Sequence, residues 1–172
     1  MLGLFLGLFV ACDGGSVDDT GALVDSNGQE WPRLWINEFM ASNQGTLEDS
    51  SGATPDWLEI YNPNSDAVSL QDWTITDDLG EFDKHTLGDL SISAGGFLLL
   101  YAGGTPELGE QHVSFKLSAA GEELGLYAPG GQAIDELDFG PQEPDVSTAR
   151  TTDGGAEWAT TADATPGESN EG

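Results

Sequence analysis

The chain has 172 residues, of which 31 are acidic and 4 basic, for a formal net charge of -27. A polyanion of this density repels nucleic acid and anionic lipid head groups, and the four cations (Arg33, Lys84, Lys116, Arg150) form no basic patch, so no nucleic-acid partner is expected. Gly (24) and Pro (8) are plentiful, the hydrophobic fraction is 38% and extended helical periodicity is absent, which predicts a turn-rich all-β domain.

Residues 2–11 form a continuous apolar run that ends at Cys12. The run is too short to span a bilayer, which takes about 20 residues; it fits the apolar core of a signal peptide. Phe9-Val10-Ala11-Cys12 resembles a bacterial lipobox, in which small residues precede a cysteine that is acylated and becomes the mature first residue. Cys12 is the only cysteine, so it forms no internal disulfide. No Lys or Arg precedes the run, a departure from the usual signal peptide. The expectation is a lipoprotein signal peptide over 1–11, lipidation at Cys12, and a flexible acidic linker over 12–33.

Residues 34–40 alternate as a strand with Leu34, Ile36, Glu38 and Met40 on one face and Trp35, Asn37 and Phe39 on the other. Glu38 interrupts the first face, which calls for either a bulge or a buried carboxylate with a partner. A polar loop over 41–55 leads to the next strand, where Leu58 and Ile60 share one face and Trp57, Glu59 and Tyr61 the other. Asn62-Pro63 turns the chain. Strands are expected within 68–78 (around Trp73-Thr74-Ile75-Thr76), weakly over 87–92, and over 97–101, whose apolar residues on both faces predict a central buried strand. Further strands are read at 112–117, 123–127, 133–139 and 146–151, with Pro129-Gly130-Gly131 as a type II turn. Residues 152–172 read as a tail from which Trp158 alone packs back. Eight or nine short strands at this spacing predict an antiparallel β-sandwich, and the lack of a Cys-Trp-Cys pattern excludes a disulfide-linked antibody-type domain.

Several motifs, in order, resemble the lamin tail domain. They are Ile36-Asn37-Glu38-Phe39-Met40-Ala41-Ser42-Asn43, Asp56-Trp57-Leu58-Glu59-Ile60-Tyr61-Asn62, and Leu70-Gln71-Asp72-Trp73. Ala94-Gly95-Gly96-Phe97, Phe115-Lys116-Leu117-Ser118, and Gly121-Glu122-Glu123-Leu124-Gly125-Leu126-Tyr127 follow. Asp145-Val146-Ser147 with Arg150, and Thr165-Pro166-Gly167 with Asn170, extend the likeness over about 34–170. The resemblance implies an immunoglobulin-like sandwich without catalysis of its own. The lipobox and the absence of coiled-coil heptads and basic segments bring the chain nearer to the bacterial branch than to nuclear lamins.

Glu38, Glu59 and Arg150 occupy matching motif positions and are expected to form a structural ion pair, since a positioned Arg in so acidic a chain has its choice of carboxylates. Glu48, Asp49, Asp56, Asp77 and Asp78 offer hard oxygen ligands of the kind calcium takes, although no fixed calcium-loop spacing is present. His85 and His112 lack metal-ligand spacing, and neither a Gly-x-Ser-x-Gly elbow nor a Walker-type phosphate loop occurs, so no catalytic residue is assigned. Trp35, Trp57, Trp73, Tyr61 and Tyr101 are read as core packing ahead of a carbohydrate platform. The resulting expectation is a non-catalytic, lipid-anchored interaction or scaffold module of the bacterial cell envelope, or a secreted one. Its partner would be an envelope protein or polysaccharide, and it would meet the membrane through the anchor alone. A calcium-dependent adhesion module and a cryptic extracellular hydrolase are the alternatives.

Overall fold

Alternating apolar residues along short strands build two facing antiparallel sheets in the computed structural model, which describes the backbone of Ser16–Val17 and residues 22–171. Strands β1 (Ser16–Val17), β2 (Leu23–Val24), β3 (Glu30–Trp31), β4 (Trp35–Met40) and β5 (Asp56–Tyr61) come first. β6 (Val68–Ser69), β7 (Thr74–Thr76), β8 (His85–Thr86), β9 (Ser91–Ile92) and β10 (Phe97–Ala102) follow. A short 3-10 turn at Pro106–Leu108 precedes β11 (Glu122–Ala128), β12 (Gln132–Phe139), β13 (Ser147–Arg150) and β14 (Trp158–Thr161). One sheet has the order β10-β5-β4-β13-β14 and the other β12-β11-β7-β8, with small ladders β1-β2-β3 and β6-β9 beside them. Among the described residues no helix is long and apolar enough to cross a membrane.

The core lies between the sheets. Ile36, Phe39, Leu58, Ile60 and Leu100 from the first sheet meet Ile75, Leu124, Leu126, Ile134 and Leu137 from the second. Phe39 reaches across to Phe139 with ring centroids 4.5 Å apart. Each such side chain contributes roughly 1.5–3 kcal/mol on burial.

Both alternatives for Glu38 are realised together. Ile36 pairs with Ile60 and Glu38 with Glu59, which leaves Asn37 as an extra residue in a β-bulge. The bulge flips the phase of β4, so Ile36 and Phe39 both face the core. Glu38 and Met40 turn to the outer face with their cross-strand partners Glu59 and Trp57, and all four are fully buried there.

Four expectations are corrected. The run 97–101 is an edge strand, not a central one. Its free edge is shielded by the following loop, because Tyr101 N–H donates to Gln111 O, Val113 N–H to Tyr101 O, and Gln111 Nε2 to Leu99 O. This shielding is a standard remedy for an exposed edge. Residues 112–117, expected as a strand, belong to that loop and form only isolated bridges, Tyr101 with His112 and Gly103 with Lys116. Of residues 87–92 only Ser91–Ile92 form a strand (β9), and β8 ends before them at Thr86, so the expected strand is shortened.

Finally, residues 22–33 do not behave as a bare linker: Leu23 is 3% exposed in the core cluster and Trp31 packs edge-on against Trp73 at 6.3 Å. The hairpin turn stands as expected, with Gly130 at φ 88 and Gly131 N–H returned to Ala128 O at 3.0 Å. The expected signal peptide and Cys12 lie outside the described residues.

Candidate functional site

Arg150 ends β13 at the rim of the sandwich, where it meets the opposite sheet. Its Nη2 donates to Asp135 Oδ2 of β12 at 2.9 Å, its Nε to Ile36 O at 2.8 Å, and its Nη1 to Gly155 O. The guanidinium lies between the rings of Trp35 (4.7 Å) and Trp158 (4.5 Å), within cation–π range of both. Asp135 Oδ2 also accepts the Ile36 N–H at 2.8 Å, an amide at the bulge. Arg150 and Asp135 are 5% and 7% exposed. Burial pushes the Asp135 carboxyl up, and Arg150 and the Ile36 amide pull it back.

The ion pair expected among Glu38, Glu59 and Arg150 is therefore corrected: the partner of Arg150 is Asp135, and the pair joins the two sheets. The reason is geometric. Glu38 and Glu59 stand on the outer face of the first sheet, whereas Arg150 turns towards β12 in the second. The signal that sequence reading missed was an acid at an inward position, since Asp135, Leu137 and Phe139 alternate along the buried side of β12.

Glu38 and Glu59 are satisfied by the C-terminal segment, which corrects the reading of 152–172 as a loose tail. β14 pairs with β13, and the chain then crosses the outer face as a strap. Glu38 accepts the Ser147 hydroxyl at 2.5 Å, the Thr165 N–H at 3.1 Å and the Thr165 hydroxyl at 3.0 Å. Glu59 accepts Asn37 Nδ2 at 3.1 Å and the Gly167 N–H at 2.6 Å. Asp153, in the β13–β14 turn, accepts Asn37 Nδ2 (3.0 Å), the Ser169 hydroxyl (2.6 Å) and the Asn170 N–H (3.0 Å). Gly154 shapes this turn: its φ is +70, and a Cβ there would come within 2.7 Å of the Trp35 ring. Burial, first of all, and then the charges of Glu38 and Asp153 push the Glu59 carboxyl up to about 8, against the pull of Asn37 and the Gly167 amide.

The five carboxylates considered for calcium are not brought together as one group. Among the described residues no three His, Cys, Asp or Glu side chains are placed to hold a metal ion. Asp49 Oδ1 is taken up by Ser51 N–H, the Ser51 hydroxyl and Ala53 N–H. Asp56 accepts the Asn43 N–H at 2.9 Å, and burial raises its carboxyl while the Asn43 amide and Lys116 lower it. Asp77 pairs with Lys84 at 2.5 Å, Asp78 accepts the Gly80 N–H at 2.9 Å, and Glu48 is exposed. Asp49 and Asp56 do line one open concavity of about 360 Å³ at the loop end of the sandwich, with Lys116, Thr105 and the exposed Leu108. Loops at sandwich ends are where this architecture places recognition.

His85 accepts the Ser114 N–H at 3.2 Å, and His112 stacks on Tyr101 at 4.9 Å. Trp57 and Trp73 are buried, as expected for packing. Trp35, Tyr61 and Tyr101 are half-buried: Arg33 and Arg150 flank Trp35, Phe97 stacks on Tyr61, and His112 covers Tyr101.

No curated protein and no solved structure matches the chain. The sequence model of the lamin tail domain family matches residues 27–141, from the β2–β3 turn to just beyond β12. With that match on an all-β antiparallel sandwich, the chain belongs to the lamin tail domain family.

Proposed function

We propose that the protein is a non-catalytic interaction or scaffold module of the bacterial cell envelope, held there by a lipid on Cys12. The observation that carries the reading is the family match on an immunoglobulin-like sandwich whose buried polar side chains join strand to strand and strand to strap. The apolar run ending at the single cysteine supports the anchor, and the charge of -27 favours a domain that stands off anionic lipid. The partner is an envelope protein or polysaccharide that meets the exposed loops. Expressing the full chain in a bacterial host tests the anchor: wild type fractionates with membranes and Cys12→Ser is released, whereas unchanged fractionation refutes it. Cross-linking the anchored form in its own envelope then identifies the partner.

Asp49 and Asp56 on one concavity favour a second reading, a calcium-dependent adhesion module. A bound ion would raise the melting temperature on calcium titration; an unchanged melting temperature sinks this reading.

A further inference from the structure

The two large sheets have four edge strands, β10 and β14 on one and β12 and β8 on the other. β10 is shielded by the loop that follows it, β8 has two residues and β14 four. β12 has eight and is the longest strand among the described residues. It pairs with β11 alone, and among the described residues no other backbone group bonds to residues 132–139. Its bulge lies at Ile134, between the pairs Tyr127–Ala133 and Leu126–Asp135, so the stretch from Asp135 to Phe139 is regular. Over that stretch every second residue directs its N–H and C=O away from β11, and these groups form an open row for pairing.

Side chains on the outer face decide what pairs there. Glu136 and Asp138 alternate with the buried Asp135, Leu137 and Phe139. The Tyr127 hydroxyl donates to Glu136 Oε1 at 2.5 Å and holds that carboxylate in place, while Oε2 has no bond among the described residues. Asp138 is exposed, and neither acid forms an ion pair among the described residues. Glu123, the cross-strand neighbour of Asp138, adds a third carboxylate to this face. A second copy of the chain, itself at -27, would set its own acids against these, so the edge disfavours self-pairing and selects the opposite charge. We propose that the free edge from Asp135 to Phe139 takes up an extended basic segment of a partner protein as an added strand. Main-chain bonds to β12 supply the pairing, and Lys or Arg side chains at alternate positions meet Glu136 and Asp138. The proposal rests on the reading of the chain as an interaction module and names a protein, not a polysaccharide, as its partner.

The probe is a peptide of alternating Lys and Thr, about nine residues long so that it spans β12, added to the purified full chain in detergent. At saturating peptide the β12 amides directed away from β11 are expected to gain about tenfold or more protection from hydrogen exchange. Unchanged protection in β12, or protection gained at β8 or β14 instead, overturns the proposal. The same peptide with every backbone amide methylated keeps the charge but cannot pair, and it is expected to leave β12 unprotected and to bind more weakly. Equal binding by the methylated peptide overturns the proposal, because attraction to a polyanion would then account for all of it. Glu136→Gln with Asp138→Asn is expected to weaken binding roughly three- to tenfold. Glu107→Gln with Glu110→Gln, exposed on the loop after β10, is expected to weaken it less than about twofold, and equal losses overturn the proposal. The two peptides on the wild type keep the test decisive if the first double variant does not fold. Fractionation of Cys12→Ser reads the anchor alone, so failure of the edge and failure of the envelope role are told apart.

Discussion

Asp135 and Glu59 are both carboxyl groups removed from water in the same sandwich, and they are held in opposite ways. Asp135 meets a guanidinium and a backbone amide at the junction of the two sheets. Glu59 meets a side-chain amide and a backbone N–H beneath the strap, with two further acids close by. The first region is a clamp: opposite charges compensate each other's burial, and Trp35 and Trp158 cover the guanidinium. The second is held by neutral N–H donors, with no cation bonded to it. Burial raises both carboxyls, and Asp135 alone of the two has a bonded guanidinium to pull it back.

The clamp breaks hardest. Arg150→Ala takes from buried Asp135 the guanidinium bonded to it, leaving only the charge of Arg33 to act on it, and is expected to cost about 3–5 kcal/mol in denaturant unfolding. Arg150→Met combined with Asp135→Leu is expected to recover only part of that loss, because the apolar pair removes both buried charges but leaves the Ile36 N–H and carbonyl without these partners. A single variant that loses less than about 1 kcal/mol would make the pair incidental.

The strap gives way more gently. Thr165→Val keeps the shape and removes one donor, while Glu38 keeps Ser147 and the Thr165 N–H, so the expected loss is about 1 kcal/mol. That loss is expected to show in exchange of the strap amides more than in global melting, since the strap opens without the core. Equal loss of protection in β5 and in the strap would merge the two regions into one cooperative unit. The smallest effect belongs to Lys84 and Asp77, a pair with side chains 30% and 11% exposed. Lys84→Met is expected to change unfolding free energy by less than about 1 kcal/mol, which sets the scale for a pair left near water.

The strands with clean alternation were legible in the residues themselves. β5 has Leu58 and Ile60 inward and Glu59 outward, and β11 and β12 are divided by a turn in which Gly130 supplies the positive φ. The bulge was legible as a question, because Glu38 broke an apolar face, but its place at Asn37 was not. β10 misled: apolar residues on both faces suit a central strand equally well as an edge strand, and this edge is capped by Gln111–Val113. Of the expected ion-pair residues, all three are buried and hydrogen-bonded, yet the pairing differed. Asp135 was overlooked because its inward placement matters only once β12 is known to face β4.

The sandwich and its family membership follow from local order. Strand alternation, turn residues and motif spacing are read over a few residues at a time, and each is set by backbone sterics and hydrophobic patterning. The partner of each buried charge follows from the packing of distant segments. Arg150 lies 15 residues from Asp135, Gly167 is 108 from Glu59, and Thr165 is 127 from Glu38. In a chain with 31 acids and 4 bases, many pairings satisfy Coulomb's law equally well on paper. The folded sheets choose among them, because burial, face and distance decide which carboxyl receives a cation and which receives neutral N–H donors.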